Sequence, residues 1–215
     1  MPFPLNNIIK EACVETLDQA ITAQKRGAHR IELCGRLDLG GITPSEQLIK
    51  DCIKHLDIPI KVMIRPRGGN FIYTEEEIKS MIADIELCKD LGIPEFVMGA
   101  LLDDNSIDID NMIRLSANVG HAPITFHKAI DELPNFEKSI QQLKEIPNVK
   151  SILTSGLAST AKDGIPVLKK MVQLCGDQIA VIVAGKVTDH NIEDLHTEID
   201  AKEYHGRKIV GQLPD

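Results

Sequence analysis

Tryptophan is absent and aromatic residues make up only 3% of the chain, too few for a platform that stacks nucleic-acid bases. No apolar run approaches the ~18 residues that a membrane span requires. No charged leader precedes an apolar stretch at the N-terminus, so no signal peptide is expected. The five cysteines are odd in number and form no CxxC pair, which points to free thiols in a cytoplasmic protein. Excess positive charge is also missing. The net charge of −8 argues against general binding to nucleic acid, while leaving room for a small basic pocket. No Gly/Ser linker or low-complexity segment interrupts the 215 residues, so residues 1–215 are expected to form a single domain.

What is present is a repeat of short apolar runs and longer segments of helical period. The runs cover Asn7–Cys13, His29–Cys34, Ile60–Arg65, Glu95–Leu101, Ile124–His127, Val149–Thr154, Ile179–Ala184 and Lys202–His205. Between them, Ile78, Met81, Ile82, Ile85 and Cys88 share one helical face, as do Ile165, Leu168, Met171, Val172 and Cys175. Thr74 with Glu77 reads as a capping box. Thr43-Pro44-Ser45-Glu46 reads the same way, with Pro44 at the first helical position. Eight such alternations define an α/β fold, either a closed (β/α)8 barrel of TIM type or an open doubly wound sheet. The first strand–helix junction has no GxGxxG, and the count of eight favours the barrel. The ten residues after His205 leave little room for a final helix, so an irregular or truncated last unit is expected.

In a parallel barrel, alternate strand residues face the lumen and the loops after the strands carry the ligand site. Ile31 and Leu33 take the helix side, which turns Glu32 and Cys34 inward. Glu11 and Cys13 share the corresponding face of the first strand. The same alternation directs Met63, Arg65 and Arg67 inward, then Thr125 and His127, then Glu203 and His205. Isolated charges are costly to bury, so these groups form either a structural ion network or a ligand site. Their clustering at strand ends favours the site.

Cations also gather there: Arg36, Arg65, Arg67, His127, Lys128, Lys186, His205, Arg207 and Lys208 all end or follow strands. Arg65-Pro66-Arg67-Gly68-Gly69 offers two fork-shaped donors on a glycine-rich turn, suited to an anion. The loops at Ala184-Gly185-Lys186 and His205-Gly206-Arg207 occupy the usual phosphate cradle of such barrels. His127 with Asp131 nearby reads as a general base with an orienting acid. Cys52, Cys88 and Cys175 lie on apolar helix faces as small core residues. Cys13 and Cys34 end neighbouring strands in equivalent positions, where two soft thiolates suit Cu(I), with Met63 close by.

These motifs resemble a known family. Gly27-Ala28-His29-Arg30-Ile31-Glu32-Leu33-Cys34 is similar to the GADRIELC signature of the CutC family, and Gly40-Gly41-Ile42-Thr43-Pro44-Ser45 follows with family spacing. Val62-Met63-Ile64-Arg65-Pro66-Arg67-Gly68-Gly69-Asn70-Phe71 resembles VMIRPRGGDF, with Asn70 in place of Asp. Thr125-Phe126-His127-Lys128-Ala129-Ile130-Asp131 resembles TFHRAFD, and Ile152-Leu153-Thr154-Ser155-Gly156 matches ILTSG. The resemblance covers nearly the whole chain. It implies a TIM-type barrel, a cytoplasmic location, a homo-oligomer with a dimer as the expected state, and a role in copper homeostasis with Cys13 and Cys34 as the thiols. Two loops depart from the family. Ala184-Gly185-Lys186 replaces a glycine triplet and His205-Gly206-Arg207 replaces HxSAR, which implies an altered anion cradle.

Two functions follow as expectations. One is Cu(I) binding through Cys13 and Cys34, with no organic cofactor. The other is an enzyme acting on a small phosphate or carboxylate metabolite. In that reading Glu11, Glu32, His127 and Asp131 supply acid/base chemistry, and Arg65, Arg67, Thr154, Ser155, Gly185 and His205 hold the anion.

Overall fold

The computed structural model describes residues 8–214, and Asn7 of the first apolar run lies outside them. Eight parallel strands close into one barrel in chain order. They are β1 (Ile9–Val14), β2 (Arg30–Leu33), β3 (Ile60–Met63), β4 (Glu95–Met98), β5 (Ile124–Phe126), β6 (Val149–Thr154), β7 (Ala180–Val183) and β8 (Glu203–Gly206). Seven α-helices cross over between them: α1 (Leu17–Lys25), α2 (Glu46–His55), α3 (Glu75–Asp90), α4 (Ile109–Val119), α5 (Phe136–Glu145), α6 (Ile165–Cys175) and α7 (Ile192–Ile199). β1 closes the barrel by pairing with both β2 and β8, with Cys13 opposite Glu32 and Glu11 opposite His205. The expected α/β barrel is therefore the observed fold.

The strands alternate as a barrel requires. Ile31, Leu33, Val62, Ile64, Phe96, Met98, Ile124, Phe126, Ile152, Val181, Val183 and Tyr204 are buried in the apolar layer between sheet and helices. Helix α3 supplies Ile78, Met81, Ile85 and Cys88 to that layer. Burying a large aliphatic side chain contributes roughly 1.5–3 kcal/mol, so this layer, and not the lumen, is the main source of stability. The remaining strand positions point inward, and many of them are polar.

Local signals set the helix boundaries. Thr74 accepts from the Glu77 amide while the Glu77 carboxylate accepts from the Thr74 amide, the capping box expected. The second expected box is corrected by one turn position: Ser45 is the cap of α2, and Pro44 lies outside the helix. Thr43 instead pairs its hydroxyl with the backbone of Arg65, tying the loop after β2 to the end of β3. That contact stops β3 at Met63, short of the expected Arg65. Likewise the Leu101 amide donates to the Phe71 carbonyl, well past the end of β4 at Met98. After β8 the described residues form no α-helix. Short bridges at Thr188–Lys208 and Ile209–Gly211 take its place, so the last unit is truncated as expected.

Candidate functional site

The lower lumen holds a charge network. The Glu11 carboxylate is fully buried and accepts from Arg30 Nε, while Arg30 Nη2 reaches Glu203 at 2.6 Å. Lys61 Nζ lies 3.4 Å from both Glu11 and Glu95 and donates to Thr125 Oγ1 at 2.8 Å. Thr125 in turn pairs with Ser151 at 2.7 Å. Burial alone would raise the Glu11 pKa, but the Lys61 charge, the His205 hydrogen bond and the Arg30 charge hold it well below the usual carboxylate range. Two of these partners, Arg30 and Lys61, were missed by sequence reasoning. The signal existed: they stand two residues before Glu32 and Met63, on the same inward register.

Above this network the barrel mouth opens on a cavity of about 110 Å³. Its lining includes Cys13, Glu32, Cys34, Met63, Arg65, Phe71, His127, Leu153 and His205. The strand alternation thus brings Glu32, both expected thiols, Arg65, His127 and His205 together. His205 links the two layers, because its Nδ1 pairs with Glu11 at 2.8 Å and its Nε2 lies 3.6 Å from Glu32. Donor atoms of Cys13, Glu32 and His205 lie within 4.8 Å of one another, and Cys34 Sγ sits 3.6 Å from Glu32 Oε2.

The electrostatics of the mouth separate the two thiols. The neighbouring Cys34 and His205 draw the Cys13 pKa well below the thiol range against the opposing effect of burial. Cys34 is pushed well up by the adjacent Cys13, by burial and by Glu32, to which its thiol donates. Burial would lower His205, but the Glu32 charge and its bonds to Cys13 and Glu11 raise it well above the usual imidazole value. Glu32 is raised by burial and by the neighbouring Cys13 and Glu11 charges, with His205 opposing. The result is a lowered Cys13 thiol beside a raised His205 imidazole, whose Nδ1 pairs with the buried Glu11 carboxylate.

Four sequence expectations need correction. Arg67 does not enter the lumen. β3 has already ended, and the side chain turns outward to pair with Glu77 of α3 and with the Ile72 carbonyl. Asp131 does not orient His127. It lies in a 3₁₀ turn over Lys128–Glu132 and accepts from Thr154 Oγ1, Ser155 Oγ and the amides of Ser155 and Leu157. Thr154 and Ser155 are therefore occupied by a carboxylate, which would repel the anion they were expected to hold. His127 is not poised as a base, since burial and the Arg65 charge lower its pKa to about 3. Gly185 lines a separate cleft of about 470 Å³ with Lys128, Lys186, His205, Arg207 and Lys208, next to the mouth. Gly99, which sequence reasoning passed over, makes room for His127: a Cβ there would lie 2.7 Å from the ring.

The fold and the mouth define a (β/α)8 barrel protein with a buried thiol–imidazole–carboxylate centre at the C-terminal ends of its strands. The chain belongs to the CutC family, whose model matches residues 8–210. It is 37% identical over 200 residues to the human copper homeostasis protein cutC homolog, covering 93% of this chain and 73% of that one. It is 39% identical over 197 residues to the CutC family protein of Aliivibrio fischeri, covering 91% and 79%. The CutC crystal structure from Streptococcus agalactiae superposes with a TM-score of 0.90 at 34% identity, covering 94% of this chain and 99% of that one. Among the described residues, no helix is long and apolar enough to cross a membrane.

Proposed function

We propose that this protein serves copper homeostasis by holding Cu(I) at the barrel mouth through Cys13 and Cys34, in the cytoplasm and as a homodimer. The observation that carries this reading is the thiol pair itself. Two buried sulfurs, one from β1 and one from the residue after β2, line the same cavity, and the pKa of Cys13 is lowered toward the form that binds soft metals. The donor set fits the ion: thiolates satisfy Cu(I) with few ligands, and a neutral imidazole is a compatible third. His205 presents Nε2 toward Glu32 while Glu11 holds Nδ1, the carboxylate–histidine arrangement that orients metal-binding imidazoles, and its donor atom lies within 4.8 Å of that of Cys13. Met63 lines the same cavity as an additional soft group. Thiolate and neutral imidazole are the forms that would hold the ion, so affinity is expected to weaken as pH falls.

Titrating the reduced protein with Cu(I) against a competing chelator tests the reading. The double variant Cys13→Ser with Cys34→Ser is expected to lose nearly all affinity, and His205→Gln to lose about 10–100-fold. Unchanged affinity in the double serine variant would overturn the site.

A further inference from the structure

Cys13 lines two cavities. One is the mouth, which it shares with Cys34. The other is a lateral cleft of about 450 Å³, lined also by Glu15, Gln19, Arg207, Lys208 and residues 212–214. Cys34 lines the mouth and not the cleft. The two thiols therefore differ in how solutes can approach them, and residues 212–214 form one wall of that difference.

The chain after β8 divides into an anchored part and a lightly held part. The Lys208 carbonyl accepts from the Asp189 and Gly211 amides at 3.0 and 3.1 Å, and Ile209 is fully buried. Gly211 then turns the chain at φ 86°, a left-handed conformation that glycine adopts freely. Beyond it, among the described residues, no backbone–backbone hydrogen bond joins residues 212–214 to the barrel. Two side chains hold them instead. Arg26, at the end of α1, donates from Nη1 to the Gln212 carbonyl, and Gln19 of α1 donates from Nε2 to the Pro214 carbonyl at 3.0 Å. Leu213 alone of the three is buried, where it joins the apolar layer. One buried side chain and two bonds make an element of low local stability, the kind that opens while the rest of the fold stays closed. Gln19 also accepts at Oε1 from the Glu15 amide at 3.0 Å. The side chain that holds this segment thus reaches the turn two residues beyond Cys13.

We propose that residues 212–214 are a strap, hinged at Gly211, that covers a lateral opening to Cys13 and controls access to it. Closed, the strap leaves the mouth as the way in. Open, it admits small solutes to Cys13 from the side of α1 while Cys34 stays reachable through the mouth alone. A part for the strap in loading or releasing copper rests on the thiol site proposed above; the strap itself does not.

Alkylation of reduced, metal-free protein with iodoacetamide tests it, with each cysteine followed by peptide mass spectrometry. The thiolate sulfur displaces iodide, so the rate reads access without any metal. Leu213→Ala with Arg26→Ala removes the buried side chain and one of the two bonds. In this variant Cys13 is expected to react at least about tenfold faster, while Cys34 stays within about twofold of wild type. Arg26→Ala alone changes an exposed side chain. It is expected to speed Cys13 by about threefold, and it decides the question if the double variant does not fold. An unchanged Cys13 rate would overturn the proposal. So would an equal rise at Cys34, which would mean that the whole mouth had loosened. Failure of the protein to bind Cu(I) would sink the copper reading and leave these rates as they are.

Discussion

The lower lumen and the mouth are both buried polar clusters on the same strands, yet they differ in how their groups are paired. Below, Glu11, Arg30, Lys61, Glu95 and Glu203 neutralise one another, with Thr125 and Ser151 closing the chain of bonds. Above, Glu32, Arg65 and His127 each keep a buried atom without a partner among the described residues, and both thiols line the cavity. Inward charge is therefore no mark of function by itself in this barrel. The mark is charge whose pairing is incomplete. Glu11 belongs to both regions: its Oε2 completes the network and its Oε1 holds His205 for the mouth.

That contrast can be broken from below. Arg30→Ala leaves Glu11 and Glu203 without their shared partner and is expected to destabilise by roughly 3–5 kcal/mol in denaturant unfolding. A cost below about 1 kcal/mol would mean the lower network is not structural.

The next largest effect is a pH dependence set by His127. Its pKa falls from 6.5 to about 3 on burial, so between those values the unfolded chain binds a proton that the folded chain does not. Stability should therefore decline as pH drops through that window, by a few kcal/mol at its acid end. His127→Phe should flatten this acid limb, and an unchanged slope would remove His127 as its source. His205 acts with the opposite sign. Its raised pKa contributes stability that is present below the ordinary imidazole value and lost as pH rises through the folded value.

Smaller still is Gly99→Ala. The added Cβ meets the His127 ring, which Phe71 and Phe126 flank on other sides. A cost of roughly 1–3 kcal/mol is expected, with a displaced His127 resonance in NMR spectra. The smallest effect sharpens the boundary of the site. Arg67→Ala removes a half-exposed ion pair with Glu77, and about 0–1 kcal/mol of stability should go with it. Copper affinity should not change, and a large loss would return Arg67 to the site.

Strand alternation made most of the mouth legible. With Ile31 and Leu33 on the helix side, Glu32 and Cys34 had to face the lumen, and the same period placed Cys13, Met63, Thr125, His127 and His205. The period fails where the strand stops. β3 ends at Met63, and past Ile64 and Arg65 the Pro66 turn frees Arg67 to swing toward α3. Short sequence distance misleads in a different way at Asp131. It lies four residues from His127, but the 3₁₀ turn carries it to β6, where amides and hydroxyls from Thr154 to Leu157 surround it. Pairing was not legible at all. Residue types show that a lumen is charged, but only the three-dimensional arrangement shows that Arg30 satisfies Glu11 while Arg65 Nε meets no hydrogen-bond acceptor among the described residues.

X-ray absorption at the copper edge of Cu(I)-loaded protein bears most directly on the mouth as the working half of the barrel. The predicted spectrum shows two sulfur scatterers in wild type and none in Cys13→Ser with Cys34→Ser. A first shell of nitrogen and oxygen alone in wild type, or a sulfur shell that survives the double substitution, would contradict the account.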